Sequence, residues 1–237
     1  GGFLSALAIE INDLHAWYGE SHILHGINFS VKAGEVVTLL GRNGAGRTST
    51  LRAILGLTGK RTGSIRIHGN EVIHLPTHQI AHLGIGYCPE ERGIFSTLTA
   101  QENLLLPPVI ADTGLSIHEI YEMFPNLYDR RNSPGTRLSG GEQQMLALAR
   151  ILRTGASILL LDEITEGLAP VIVQKLAQVV KTLRSKAYTI ILVEQNFRFA
   201  ERLADRHFVV EHGQIVETVL GSELSEKTAL LNSYLGV

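Results

Sequence analysis

The sequence predicts an α/β fold with a parallel-sheet core, an antiparallel β subdomain and an inserted helical subdomain. Three observations predict it. Short, continuously apolar runs, "EVVTLL" at 35–40, "SILLL" at 157–161 and "TIILV" at 189–193, alternate with helix-like segments, the pattern of parallel strands covered on both faces. Residues 8–33 and 60–73 carry short period-two segments such as "SIRIHGN", split by Gly and Asn, which read as antiparallel sheet. Residues 91–137 hold helix-like "SIHEIYEMF" and turn-rich "DRRNSPGTR", so a helical unit, extending over about residues 91–150, interrupts the alternation.

The first apolar run leads straight into "GRNGAGRTST" at 41–50, and "TSTLRAILGL" follows with Leu51, Ile54 and Leu55 at helical spacing. Strand, Gly-rich turn and helix form the context of a phosphate-binding loop, G-x-x-x-x-G-K-[ST], but Arg47 stands where that pattern has lysine. Gly41, Gly44 and Gly46 open backbone angles that other residues avoid. The N–H groups of residues 44–48 can then form an anion-binding nest that continues into a helix N-terminus. Thr48 supplies the hydroxyl expected on Mg²⁺. Taken alone, with its lysine missing, the loop reads as evenly as an ordinary Gly-rich turn.

A second element tips the balance. "ILLLDE" at 158–163 is an apolar strand that ends in two acids, and ligands of open α/β sheets bind at the C-terminal ends of strands. There Asp162 can support Mg²⁺, and Glu163 can polarise an attacking water. The third element is "LSGGEQQ" at 138–144, where two glycines open an amphipathic helix with Ser139 at its N-cap. This is a second helix N-terminus suited to phosphate. One active site has no use for two such receptors; a head-to-tail dimer with ATP between two chains uses both.

Together these motifs resemble the nucleotide-binding subunit of ATP-binding-cassette transporters, over residues from about Ala8 to Val237. The features "GYCPEERGIF", "DEITEGLAP", "LVEQN" and "YLGV" resemble those of branched-chain amino acid importers, and within these the second of two ATPase subunits. The resemblance implies a RecA-like P-loop NTPase core that binds ATP and Mg²⁺ and hydrolyses ATP. It implies that Tyr18 stacks on adenine, with neighbouring Trp17 as the alternative ring. Gly41, Arg42, Asn43, Gly44, Ala45, Gly46, Arg47, Thr48 and Ser49 would wrap the triphosphate. Ser139, Gly140 and Gly141 would contact the γ-phosphate bound to the other subunit. Asp162, Thr48 and Glu90 would form the metal side, Glu90 standing where most cassettes have glutamine. Glu163 would be the catalytic carboxylate, and Gln195 would take the place of a switch histidine. Leu168 stands where many cassettes have an aspartate.

The implied partners are membrane permease subunits, a second ATPase subunit, identical or paralogous, and, indirectly, a periplasmic solute-binding protein. The implied place is the cytoplasmic face of the inner membrane, as a peripheral subunit. Three readings stay open: a transport ATPase, a non-transport cassette of DNA repair or translation, and a weakly hydrolysing regulatory cassette suggested by Arg47. Against the second, only about ninety residues separate the phosphate loop from LSGGEQQ, too few for a long coiled-coil insertion.

Composition agrees with a single folded unit. The 237 residues are 44% hydrophobic and 19% charged, with a formal net charge of −2, so no basic field draws nucleic acid. No apolar run approaches the roughly 18 residues of a membrane-spanning helix. Residues 8–237 are expected to form one domain, with residues 1–7 an expression remnant or a flexible start. Cys88, the lone cysteine, is expected to be a buried, inert thiol. His68, His74, His78 and His82 cluster in sequence without a Cys or acid that completes a metal set. Arg130 and Arg131 are expected in a solvated loop.

Overall fold

The computed structural model describes residues 6–236. The expected flexible start therefore lies outside the described residues for 1–5, and β1 begins at Leu7, one residue ahead of the expected domain start. Strands β1 (Leu7–Tyr18) and β2 (Ser21–Lys32) form the antiparallel unit, with β4 (Arg61–Ile67) and the two-residue β5 (Asn70–Glu71) added on the other edge in the order β2-β1-β4-β5. Between them in the chain come β3 (Val36–Leu40) and helix α1 (Arg47–Ile54). Helix α2 (Thr77–Ala81) leads into β6 (Ile85–Cys88). The expected helical unit follows as α3 (Ala100–Leu105), α4 (Ile117–Met123), α5 (Pro125–Asp129) and the long α6 (Gly140–Arg153). The core resumes with β7 (Ile158–Asp162), α7 (Pro170–Ser185), β8 (Thr189–Val193), α8 (Phe197–Glu201), β9 (Arg206–Glu211), β10 (Gln214–Leu220) and α9 (Thr228–Leu235).

The main sheet has the order β10-β9-β3-β8-β7-β6, with all pairs parallel except the β9–β10 hairpin. Every residue of β3, β7 and β8 is buried. Period-two geometry sends alternate residues to opposite faces, and two separate cores result. Leu159, Leu161, Ile190 and Leu192 pack with α6 and α7. Ile158, Leu160, Ile191 and Val193 pack with α1 and the antiparallel sheet. A strand buried on both faces cannot alternate with polar residues, which is why these three runs are continuously apolar.

The short helices of the inserted unit are stabilised by their own ends. Thr99 with Glu102, Ser116 with Glu119 and Ser139 with Glu142 each form a reciprocal capping box at the starts of α3, α4 and α6. Each box satisfies two backbone N–H groups that helix geometry leaves without partners. Cys88 is 1% exposed, and burial pushes its thiol up to about 12.

One buried polar pair interrupts the sheet core. Thr38 Oγ1 of β3 lies 2.6 Å from Nδ1 of His207 in β9, and His207 is fully buried with its Nε2 unpartnered. Burial lowers the imidazole pKa to about 4, so folding favours the neutral ring. The stability this contributes is complete above the unfolded value near 6.5 and is lost as pH falls from there toward 4. Moving from pH 7 to 5.5 should therefore cost about 1 kcal/mol, read as a lower urea midpoint, and a His207→Asn variant should lose less. An equal acid loss in the variant would place the effect elsewhere.

Candidate functional site

The parallel strands β3, β6, β7 and β8 all end on one side of the sheet, and each delivers part of the site there. β3 runs into the Gly-rich loop, β6 into Glu90, β7 into Asp162 and Glu163, and β8 into Glu194 and Gln195. This is the crevice that parallel-sheet topology creates. The cavity there, about 740 Å³, is lined by Asn43, Gly44, Gly46, Arg47, Thr48, Ser49, Glu90, Glu163 and Glu166, and on its other wall by His22, Ile23, His25, His212 and Gly213.

The loop has the geometry that its glycines predict. Gly46 is the N-cap of α1 at φ 112°, with no side-chain cap and no acid in the first turn. The first N–H groups of α1 are thus left free to meet an anion. A Cβ on Gly41 would lie 2.4 Å from the Val210 carbonyl oxygen, so the turn can be built only around glycine. Ala45 N–H donates to the Arg42 carbonyl at 3.1 Å and closes the turn.

Arg47 is 6% exposed, and its fork is turned to protein groups. Nη1 donates to the Glu194 carbonyl at 2.9 Å, Nη2 donates to Asn43 Oδ1 at 3.4 Å, and Nη2 lies 3.3 Å from Glu163 Oε1. Asn43 Oδ1 also accepts from Gln195 Nε2. Asn43 therefore joins the phosphate-loop arginine to the residue in the switch position. The guanidinium neutralises the carboxylate expected to act on water.

The acids around Arg47 are crowded. Glu163 is 8% exposed and has φ 52°, a left-handed angle that costs a non-Gly residue on the order of 1 kcal/mol and aims the side chain back at the loop. Burial raises its pKa to about 7, against the pull of Arg47. Burial likewise raises Asp162, opposed by the hydroxyl of Thr48, whose Oγ1 donates to Asp162 Oδ1 at 3.2 Å. Glu90 is raised first by its hydrogen bond to Glu166 and then by burial. Glu194 is fully buried and is raised by burial to about 8; Thr165 Oγ1 donates to one of its oxygens at 3.0 Å, while Oε1 has no partner.

Among the described residues, no three His, Cys, Asp or Glu side chains group closely enough to hold a metal unaided. The donor set nonetheless suits Mg²⁺, which takes one or two protein oxygens and completes its shell with water and substrate phosphate. Thr48 and Asp162, joined by their hydrogen bond, are the oxygens that would hold it. Glu90, expected beside them, is engaged with Glu166 instead.

Three other expectations land differently from their sequence neighbours. Gly41, Arg42 and Gln195 line an adjoining cavity, shared with Asn43, and not this one. Tyr18 is not part of the cavity wall; its hydroxyl accepts from Arg52 Nε at 2.9 Å. Ser139, Gly140 and Gly141 start α6 as expected, but none of them lines the cavity. Gly141 is buried, and a Cβ there would come within 2.9 Å of Ile172, whereas Gly140 is exposed and a Cβ would meet Leu168 only at 3.5 Å. Ser139 Oγ accepts from Glu142 N–H, which leaves its own hydrogen free to donate. Sequence reasoning missed Glu166, Glu194 and the three histidines. Only Glu194 carried a signal, as an acid closing an apolar strand.

A family model described as "ABC transporter" matches residues 24–166. The high-affinity branched-chain amino acid transport ATP-binding protein BraG of Pseudomonas aeruginosa is 38% identical over 231 residues, covering 96% of this chain and 99% of the relative. The lipopolysaccharide export system ATP-binding protein LptB of Haemophilus influenzae is 31% identical over 225 residues, covering 92% and 93%. The solved dimeric structure of a bacterial ABC transporter cassette superposes with a TM-score of 0.78 at 25% identity, covering 90% of this chain and 98% of that one.

Proposed function

The chain belongs to the ABC transporter family, as an ATP-binding, ATP-hydrolysing subunit, and from that premise we propose that it powers import of branched-chain amino acids as one half of a nucleotide-sandwich dimer. The observation that carries the dimer is the separation of two phosphate receptors. The loop at 44–49 lines the cavity, and the N-terminus of α6 does not. A γ-phosphate held in the loop of one chain can meet Ser139 and Gly140 only from a second cassette, a paralogue or another copy. The dimeric cassette similar to this chain supports that arrangement. The choice of solute rests on the greater likeness to the branched-chain amino acid protein, 38% against 31% for the lipopolysaccharide exporter's ATPase.

In this reading Thr48 and Asp162 would hold Mg²⁺, which when bound would supply charge neutralisation at the phosphates. Glu163 takes the proton of the attacking water, and Gln195 hydrogen-bonds the γ-phosphate edge. The subunit sits on the cytoplasmic face of the inner membrane against permease subunits, which a periplasmic solute-binding protein supplies. No helix among the described residues is long and apolar enough to cross a membrane.

Gly140→Asp tests the sandwich. The site is open enough to accept the side chain, beside Leu168 and the Arg92 guanidinium, so the new carboxylate would both add negative charge and occupy Arg92 where the partner's γ-phosphate binds. ATP-dependent dimerisation, read by sizing, should be abolished, while the nucleotide affinity of the monomer should stay within about twofold, since like charges at close range repel by several kcal/mol only where they meet. Equal loss of both would overturn the two-receptor argument. A second reading, a weakly hydrolysing regulatory cassette, is favoured by one observation: the ion pair of Arg47 with Glu163.

A further inference from the structure

Glu194 is the buried acid at the sheet end that no step above uses. It follows β8 directly, and none of its surface is exposed. Its polar groups reach three different elements. The N–H donates to the Leu39 carbonyl of β3 at 3.4 Å, and the carbonyl accepts from Arg47 Nη1 of α1 at 2.9 Å. The side chain accepts from Thr165 Oγ1 at 3.0 Å through Oε2, and Oε1 has no partner.

Thr165 is 6% exposed and belongs to the turn that leaves β7. That turn carries Glu163 at φ 52°. A left-handed angle at a residue with a side chain persists only where its surroundings over-determine it. Here the surroundings are two consecutive residues at the end of β8. The Val193 carbonyl accepts from Glu163 N–H at 2.9 Å, and the Glu194 carboxyl holds Thr165 two residues further on. The turn closes on itself between them, with Glu166 N–H donating to the Glu163 carbonyl and Leu168 N–H to the Thr165 carbonyl. Glu194 thus grips one side of Glu163 through Thr165. On the other side its carbonyl fixes Arg47, whose Nη2 lies 3.3 Å from Glu163 Oε1.

The charge state fits a structural grip and not an ionic one. Burial raises the Glu194 pKa to about 8; Glu163 adds to the rise, while Thr165, the Asn196 backbone and Arg47 oppose it. An ionised carboxylate with one bare oxygen and no exposure is costly. The uncharged carboxyl accepts from Thr165 and adds no negative charge beside Glu163.

We propose that Glu194 is a positioning residue of ATP hydrolysis, holding Thr165 and Arg47 so that Glu163 keeps its aim at the attacking water. This rests on the reading of Glu163 as the group that takes the water's proton. The test is steady-state phosphate release beside a calorimetric ATP titration, on the full chain. Glu194→Ala and Thr165→Val should each lower kcat by about tenfold with KM and ATP affinity unchanged, because a misplaced catalytic group loses rate before binding. Glu194→Gln keeps an acceptor oxygen and no charge, and Thr165→Ser keeps the hydroxyl; each should restore most of the loss. In a Glu163→Gln background, Glu194→Ala should cost nothing further, since its effect runs through Glu163. A further loss in that background, a loss of ATP affinity that matches the loss of rate, or Glu194→Gln as slow as Glu194→Ala would overturn the proposal. Turnover in Glu163→Gln equal to that of the parent would instead overturn the role of Glu163 on which it rests.

Discussion

Glu163→Gln should lower ATP turnover by about a hundredfold or more while leaving nucleotide bound. The expectation follows from where the carboxylate sits. β7 lifts it to the strand end, its left-handed φ of 52° points it at the phosphate loop, and burial raises its pKa to about 7. A general base is most effective when its pKa lies near the working pH. Glutamine keeps the shape and removes both charge and basicity. The loop, the start of α1 and the Thr48–Asp162 pair are untouched by the change. The dimer should therefore close on ATP and stay closed. Steady-state phosphate release gives the rate, and sizing in ATP gives the trapped dimer. An unchanged rate would remove Glu163 from the reaction.

Arg47→Lys should raise turnover about tenfold, the equivalent of about 1.4 kcal/mol of barrier, with a smaller change in nucleotide affinity. The backbone nest and helix terminus do not depend on this side chain. What the arginine does is visible in its partners: the fork grips the Glu194 carbonyl, Asn43 and Glu163 at once. The guanidinium stabilises the charged form of Glu163 and so lowers the basicity the reaction needs. Lysine is a single compact charge without a planar fork, and the two residues are not interchangeable at such sites. An ammonium freed from these three partners can meet the β- and γ-phosphates, where developing charge is stabilised. The comparison is steady-state ATPase activity beside a binding titration, on both proteins, with the permease present. Equal activity would mean that the arginine fork serves as well as lysine. Recovery of affinity alone would place the defect in the nest.

Much of the site was legible because its strands are. A parallel strand buried on both faces must be continuously apolar, so β3, β7 and β8 stood out, and the motif residues at their ends followed. The capping Ser139 was readable for a similar local reason. What could not be read depends on distant partners. Arg47 finds Glu194, 147 positions away, and the pKa of Glu194 is raised by burial against the hydrogen bond from Thr165. The difference between Gly140 and Gly141 is set by Ile172 on another helix. The histidine wall depends on which face of β2 turns to the loop, and β1–β2 pairing contains several register shifts that hydrophobic alternation does not reveal. The β9–β10 hairpin escaped notice because β10, the edge strand, mixes polar and apolar residues, and β9 is a short run bounded by Arg206 and Glu211 and broken by His207.

The order of strands also sets when during synthesis the site can exist. β3 carries the phosphate loop and is made well before its two neighbours in the sheet, β8 and β9. Val36 pairs with Ile190, and Val37 pairs with both Ile191 and Arg206. Contacts of such long sequence separation form slowly, since a large loop must close before any of them is gained. The capping boxes of the inserted helices each close within three residues of chain and need no such wait. A nascent chain can therefore order the starts of α3, α4 and α6 while β3 still has no partner on either side. Until the residues beyond 189 have left the ribosome, the chain holds the whole phosphate-loop sequence and none of the sheet that shapes it.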